Sequence, residues 1–194
     1  METLLALCIG VGLSAACGFR VFVPLLVMSV ASWLGLFELS KGFEWLAMPS
    51  VCIALAIATV CEIGAYYVPW VDNILDTIAT PAAMVAGTLT TMAVSSGEMS
   101  QFASWAAAII VGGGTASAVQ LSSVAVRGVS TATTGGIANP VLSTVEWIGA
   151  LLVSVMSLVL PVVVVVVMII ALILTFRWIR KKKAQALTEY SATH

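Results

Sequence analysis

Long apolar runs, each interrupted or bounded by a few polar positions, set the pattern of the chain. Residues 3–37 are almost continuously apolar, with Arg20 and Pro24 breaking their middle, and residues 38–45 (ELSKGFEW) form the first loop. Residues 46–69 are a full-length apolar stretch that carries Glu62 and runs into Tyr66-Tyr67-Val68-Pro69-Trp70, an aromatic cluster suited to a membrane–water boundary. The polar residues 71–77 precede a Thr-rich apolar segment, 78–95, with Pro81 near its start. Residues 96–101 read as a loop, and 102–126 as another apolar segment ending at Arg127. The stretch 128–140 (GVSTATTGGIANP) is rich in Gly, Thr, Asn and Pro, a composition that predicts non-helical chain. Residues 143–176 are apolar apart from Glu146 and a few hydroxyls, with Pro161 at their centre.

A helical span needs roughly 20 apolar residues to cross hydrocarbon. The pattern therefore predicts an all-α, polytopic integral membrane bundle of about six apolar segments, with broken or re-entrant helices at the interruptions. The sixth segment requires 143–160 and 161–178 to form a hairpin at Pro161. The alternative is one kinked helix roughly 50 Å long at 1.5 Å per residue.

Composition turns a helical reading into a membrane one. Hydrophobic residues make up 61% of the 194 positions and charged residues 9%, with a mean hydropathy of +1.12, whereas a soluble domain carries about 25% charged residues. The length suits one transmembrane domain, residues 1–180, followed by a basic tail, 181–194. Arg177, Arg180, Lys181, Lys182 and Lys183 gather five of the eight basic residues next to the last apolar run. By the positive-inside rule this cluster predicts a cytoplasmic C-terminus, and the two Glu and one Lys of loop 38–45 favour the outside. The rest of the chain holds too few cations to bind nucleic acid. The N-terminal run lacks the basic start of a signal peptide, since its one early charge is Glu2, so it reads as a retained span.

Small residues at Gly10, Ser14 and Gly18 precede Arg20, and Gly114, Ala118 and Ser122 precede Arg127. Spacing of four puts each trio on one helix face, where backbones can approach closely. The two trios point to an internal two-fold repeat, 1–95 and 102–178, although the Arg-to-Glu separations differ between the halves.

Charge inside apolar runs marks the candidate chemistry. Such residues are costly in a bilayer and face the protein interior or water. Arg20 and Arg127 are the candidate substrate-binding cations, and Glu62 and Glu146 their first candidate partners. Asp72 and Asp76 share a helix face if the chain after Pro69 is helical, and with Glu62 they form a carboxylate group able to take up a proton or cation. Thr134 and Asn139, in an unwound 128–140, would add neutral ligands beside the arginines. Each feature also has a plain reading: structural ion pairs for the arginines, a solvated helix start for the aspartates, a simple loop for 128–140. Cys8, Cys17, Cys52 and Cys61 sit in apolar runs without metal-ligand spacing, so no metal and no cofactor is expected. No catalytic constellation appears, and the chain is not expected to be an enzyme.

The strings Gly18-Phe19-Arg20…Pro24, Glu62…Val68-Pro69…Asp72…Asp76…Pro81…Gly87 and Arg127…Thr134-Gly135-Gly136…Asn139-Pro140…Ser143…Glu146 resemble a family of bacterial membrane proteins described as domain of unknown function 4126. The resemblance covers roughly residues 5–165 and implies a multi-pass protein of the bacterial inner membrane, without implying an activity.

The leading functional expectation is a small transporter or permease for a small anion, with proton or cation coupling, assembled as a homo-oligomer in contact with membrane lipid. A non-catalytic lipid-binding or scaffold subunit is the second reading, and a lipid-phosphate translocase the third. Topology gives the first test: a Lys183→Cys probe should react with an impermeant thiol reagent only after cells are opened. Labelling in intact cells would reverse the orientation.

Overall fold

The computed structural model describes the backbone of residues 2–68, 71–95, 97 and 99–193; the side chains of residues 2, 72, 73, 176, 178, 179 and 181–193 lie outside the described set. The chain is all-α. The helices are α1 (Glu2–Phe19), α2 (Phe22–Trp33), α3 (Pro49–Ala65), α4 (Val71–Ala93), α5 (Gln101–Ala107), α6 (Gly114–Thr134), α7 (Asn139–Val159) and α8 (Pro161–Thr193). A short 3-10 turn, Glu44–Ala47, precedes α3, and a π-helical segment, Ala108–Gly113, joins α5 to α6.

Two helices are long and apolar enough to cross a membrane, Gln101–Thr134 and Asn139–Val159, and shorter apolar helices cover Thr3–Phe19, Phe22–Trp33, Pro49–Ala65 and Pro161–Thr175. The exterior is itself apolar: Ile57, Val60, Ile110, Val141, Val145 and Leu172 are among many exposed large hydrophobics. Large exposed apolar surface on a soluble monomer would drive association; in hydrocarbon it costs nothing.

The first apolar run is two helices. The chain leaves helix at Arg20 and Val21 and re-enters it at Phe22. The amide of Ser40, beyond α2, donates to Ala93 O at 2.8 Å, and Thr91, half a turn earlier in α4, donates to Gly10 O of α1 at 3.3 Å. The end of α2 has thus returned to the level of the first half of α1. α1 and α2 form a hairpin with Arg20 at its tip, at about 27 Å and 18 Å for 18 and 12 residues.

α1 is the hub, packing on α4, α6, α7, α8 and the π segment. Its contact with α4 is tight because both helices present small or hydroxylic residues. Ser14 donates to Gly87 O at 2.8 Å and shares a 2.8 Å hydroxyl contact with Thr91. A Cβ on Gly18 would lie 2.5 Å from Ala116 O, and one on Gly112 would lie 2.5 Å from Gly87 O. The second trio behaves otherwise. Gly114 has open space where a Cβ would be, and Ala118 and Ser122 are exposed. The two trios occupy opposite environments, so they do not support a repeat; Gly112 and Gly113, the two residues before Gly114, make the close approach instead.

One conditional reading is met and two expectations change. Residues 71–77 belong to α4, which runs through Pro81; acidic residues in a first turn suit the positive end of a helix. Residues 128–134 are helical, leaving only Gly135–Ala138 as a turn. Thr133 and Thr134 donate to Val129 O and Ser130 O, at 2.8 Å each, so their hydroxyls are satisfied inside the helix. Gly135, at φ +65°, ends α6 in the left-handed conformation that glycine adopts without strain, and Pro140 opens α7 within its first turn, where proline fits. Finally, one residue, Leu160, separates α7 from α8. An αα-hairpin takes about 2–5 loop residues, so Pro161 bends the chain rather than reversing it.

Gly18→Ala or Gly112→Ala should destabilise the protein by about 1–3 kcal/mol, as overpacking does, while Gly114→Ala should be neutral or stabilising. Thermal unfolding in mild detergent measures all three, and an equal loss at Gly114 would refute the packing assignment.

Candidate functional site

The site assembles at the tip of the α1–α2 hairpin. The reversal leaves the first amides of α2 without intrahelical partners, and α3 supplies the missing acceptor. Glu62 takes Val21 N at 2.7 Å on one carboxylate oxygen and Phe22 N at 3.0 Å on the other. A carboxylate at a helix start satisfies the amides and meets the positive end of the helix dipole. This corrects the expected first role of Glu62: it holds backbone, and the ion pairs that Arg20 and Arg127 make run to other carboxylates.

Arg20 projects from the hairpin tip and is 1% exposed. Its Nη2 lies 3.0 Å from Glu146 Oε2 and donates to Ser143 Oγ at 2.5 Å. Its Nε and Nη1 are buried with no hydrogen-bond partner. Arg127, on α6, is 3% exposed. It grips the same Glu146 side-on, through Nη2 to Oε2 and Nε to Oε1 at 3.2 Å, and its Nη1 lies 3.5 Å from Asp76 Oδ1 of α4. Ser123 donates its hydroxyl to Glu146 Oε1. One carboxylate therefore serves two guanidiniums and a hydroxyl.

Tyr66, just after α3, completes the arrangement. The guanidinium carbons of Arg20 and Arg127 sit 3.8 Å and 4.2 Å from its ring centroid, well inside the range of cation–π attraction. The ring supplies negative face density to two like charges that would otherwise repel. Helical periodicity delivers the polar groups from each side: Gln120, Ser123, Arg127 and Ser130 form the buried stripe of α6, while Asn139, Ser143, Ala150, Ser154 and Ser157 form that of α7, with Glu146 in line.

The structure thus brings together Arg20, Arg127, Glu146, Asp76 and, one layer away, Glu62. It separates Thr134 from them: that hydroxyl is exposed and tied into its own turn, donating to Ser130 O and accepting from Ala138 N at 3.3 Å. Asn139 is buried one turn before Ser143 and donates to Thr131 Oγ1 at 3.1 Å, closing the α6–α7 turn. Asp72 lies in α4 four residues before Asp76, with its side chain outside the described residues. The sequence offers Tyr66 only as a boundary aromatic and Ser143 only as part of the family pattern, and it does not mark Ser123. The spacings Ser123–Arg127 and Ser143–Glu146, four and three residues, were the available signal. Among the described residues no group of three His, Cys, Asp or Glu is placed to hold a metal.

The family model Domain of unknown function (DUF4126) matches residues 7–181. The chain belongs to this family. The match spans every residue of the Arg20–Arg127–Glu146 cluster. No curated protein and no solved structure matches the chain.

Removing one member of a buried ion pair costs about 3–5 kcal/mol because the remaining charge is stranded. Glu146→Ala should therefore destabilise strongly, leaving two arginines without their shared partner, and Arg127→Ala less, since Glu146 keeps Arg20. The double variant should lose less stability than the two single losses added together. Strict additivity in detergent unfolding would show that the pair is not coupled.

Proposed function

We propose that this member of the family is a small multi-pass transporter or permease of the bacterial inner membrane, with Arg20 and Arg127 as the binding groups for a small anion. The observation that carries the reading is Arg20: a guanidinium 1% exposed, on a hairpin tip, with Nε and Nη1 lacking hydrogen-bond partners. A buried polar hydrogen left unpaired costs about 1–3 kcal/mol, and a ligand oxygen would recover that cost. The 128–140 stretch no longer contributes ligands to this reading, because most of it is helix. Proton or cation coupling falls to the carboxylates Glu146, Asp76 and Glu62, with Asp72 four residues before Asp76 on α4.

The basic cluster after the last apolar run supports a cytoplasmic C-terminus in the same reading. A homo-oligomer belongs to the same proposal, since 194 residues leave little room for two bodies moving against each other.

A specific observation favours a second reading. Both arginines already contact carboxylates, as they would in a non-catalytic scaffold or lipid-binding subunit whose charges only lock helices. Proteoliposome uptake separates the two. Saturable uptake of a small anion by the wild-type protein, reduced at least about tenfold (roughly 1.4 kcal/mol of binding) in folded Arg127→Gln, is the expected result. Absence of anion uptake and of any anion-induced rise in melting temperature would leave the scaffold reading.

A further inference from the structure

An anion entering this cluster meets charge that is already there. α1 contributes Arg20, α6 contributes Arg127, α7 Glu146, α4 Asp76 and α3 Glu62, with the Tyr66 ring against both arginines. Two cations face three carboxylates, and Asp72 stands four residues from Asp76 on the acidic side of that count. A further negative charge within a few ångströms of Glu146 would be repelled strongly in a low-dielectric interior. It has to take the place of Glu146. A carboxylate released from both guanidiniums into apolar surroundings cannot stay ionised without great cost, so its release requires a proton.

We infer that Glu146 is an internal stand-in for the substrate: a small carboxylate takes its place on Arg20 and Arg127, and one proton enters with it onto Glu146. This inference rests on the anion-binding reading and names its substrate class and its coupling group. The seat of Glu146 fits a carboxylate. Arg127 meets both oxygens through Nε and Nη2, Arg20 Nη2 meets Oε2 at 3.0 Å, and Ser123 meets Oε1. A planar two-oxygen acceptor satisfies this fork at once, which a single-atom halide cannot do. Arg20 Nε and Nη1 hold two further donors for a ligand that reaches past the position of Glu146. Once protonated, the Glu146 carboxyl can turn its O–H toward the Ser123 hydroxyl, whose oxygen is able to accept. The proton comes from a hydronium ion or the acid form of the buffer, whose bond to hydrogen breaks as the O–H bond forms on Glu146, and no other covalent bond changes.

The experiment is calorimetric titration of the purified full-length protein in detergent with sodium acetate, and separately with sodium chloride. Each titration is run in two buffers of different ionisation enthalpy and at several pH values. The expected result is uptake of about one proton per acetate, with affinity rising about tenfold for each unit of pH lowered, as one-proton linkage requires. Chloride should bind at least about tenfold more weakly, the fork being unfilled. Glu146→Gln should bind acetate without proton uptake and with pH-independent affinity. If that variant does not fold, the proton count of the wild-type protein decides alone. Acetate binding without proton uptake would overturn the inference while leaving the anion site standing. Failure of the folded wild-type protein to bind either acetate or chloride at any pH would remove the anion-binding reading itself.

Discussion

The carboxylate of Glu146, held by two guanidiniums, is the interaction on which the rest of the arrangement depends. It joins α7 to α1 through Arg20 and to α6 through Arg127, and Arg127 extends the linkage to Asp76 of α4. Tyr66 brings in the end of α3 by lying against both cations. Five helices thus meet at one buried electrostatic point. Apolar contacts between membrane helices are not directional, and lipid chains compete for them. A charge cluster of this kind has few acceptable geometries and so fixes which helices are neighbours and at what depth.

The cluster exists only because the first apolar run turns back on itself. An unbroken helix from residue 3 to residue 37 would bury no exposed backbone, so the break at Arg20 and Val21 needs a compensating acceptor. Glu62 provides it with both carboxylate oxygens. The reversal places Arg20 at a tip and lets α2 run beside α3 and α7. At the same time Gly10 of α1 and Gly112 of the π segment pack on α4, and Gly18 packs on α6, with no room for a Cβ between the helices. The close packing runs along α1 up to Gly18, two residues before Arg20, and so reaches the edge of the charged cluster.

Buried ion pairs are weak evidence for stability, because hydrophobic residues of similar volume often hold a core as well. What distinguishes this cluster is its incomplete satisfaction. Arg20 keeps two buried donors without acceptors, although hydroxyls from Ser143 and Ser123 have been recruited to the same place. A purely structural lock would gain by closing those donors. A site that exchanges one acceptor for another has a reason to leave them open.

The sequence alone determined which residues were to be buried and charged. In a chain with so little charge, Arg20, Arg127, Glu62, Asp76 and Glu146 stood out because each interrupts or borders an apolar run, and the cost of such a residue in hydrocarbon is a local property of its position. Membrane-length apolar segments and family membership were legible for the same reason. Partnership was not. Arg20 and Ser143 are 123 positions apart, and which carboxylate faces which arginine depends on the rotation and depth of whole helices. Glu62 was a natural partner for Arg20 by charge, but the α2 amides that claim it exist as orphans only once the hairpin forms. Tyr66 read as a boundary aromatic because its neighbours in sequence are aromatic, while its neighbours in space are two cations. The 128–140 stretch misled because Thr and Gly have two uses. Hydroxyls that can line an unwound segment can also bond back to a helix carbonyl, and only the folded structure, which continues α6 through Thr134, decided between them.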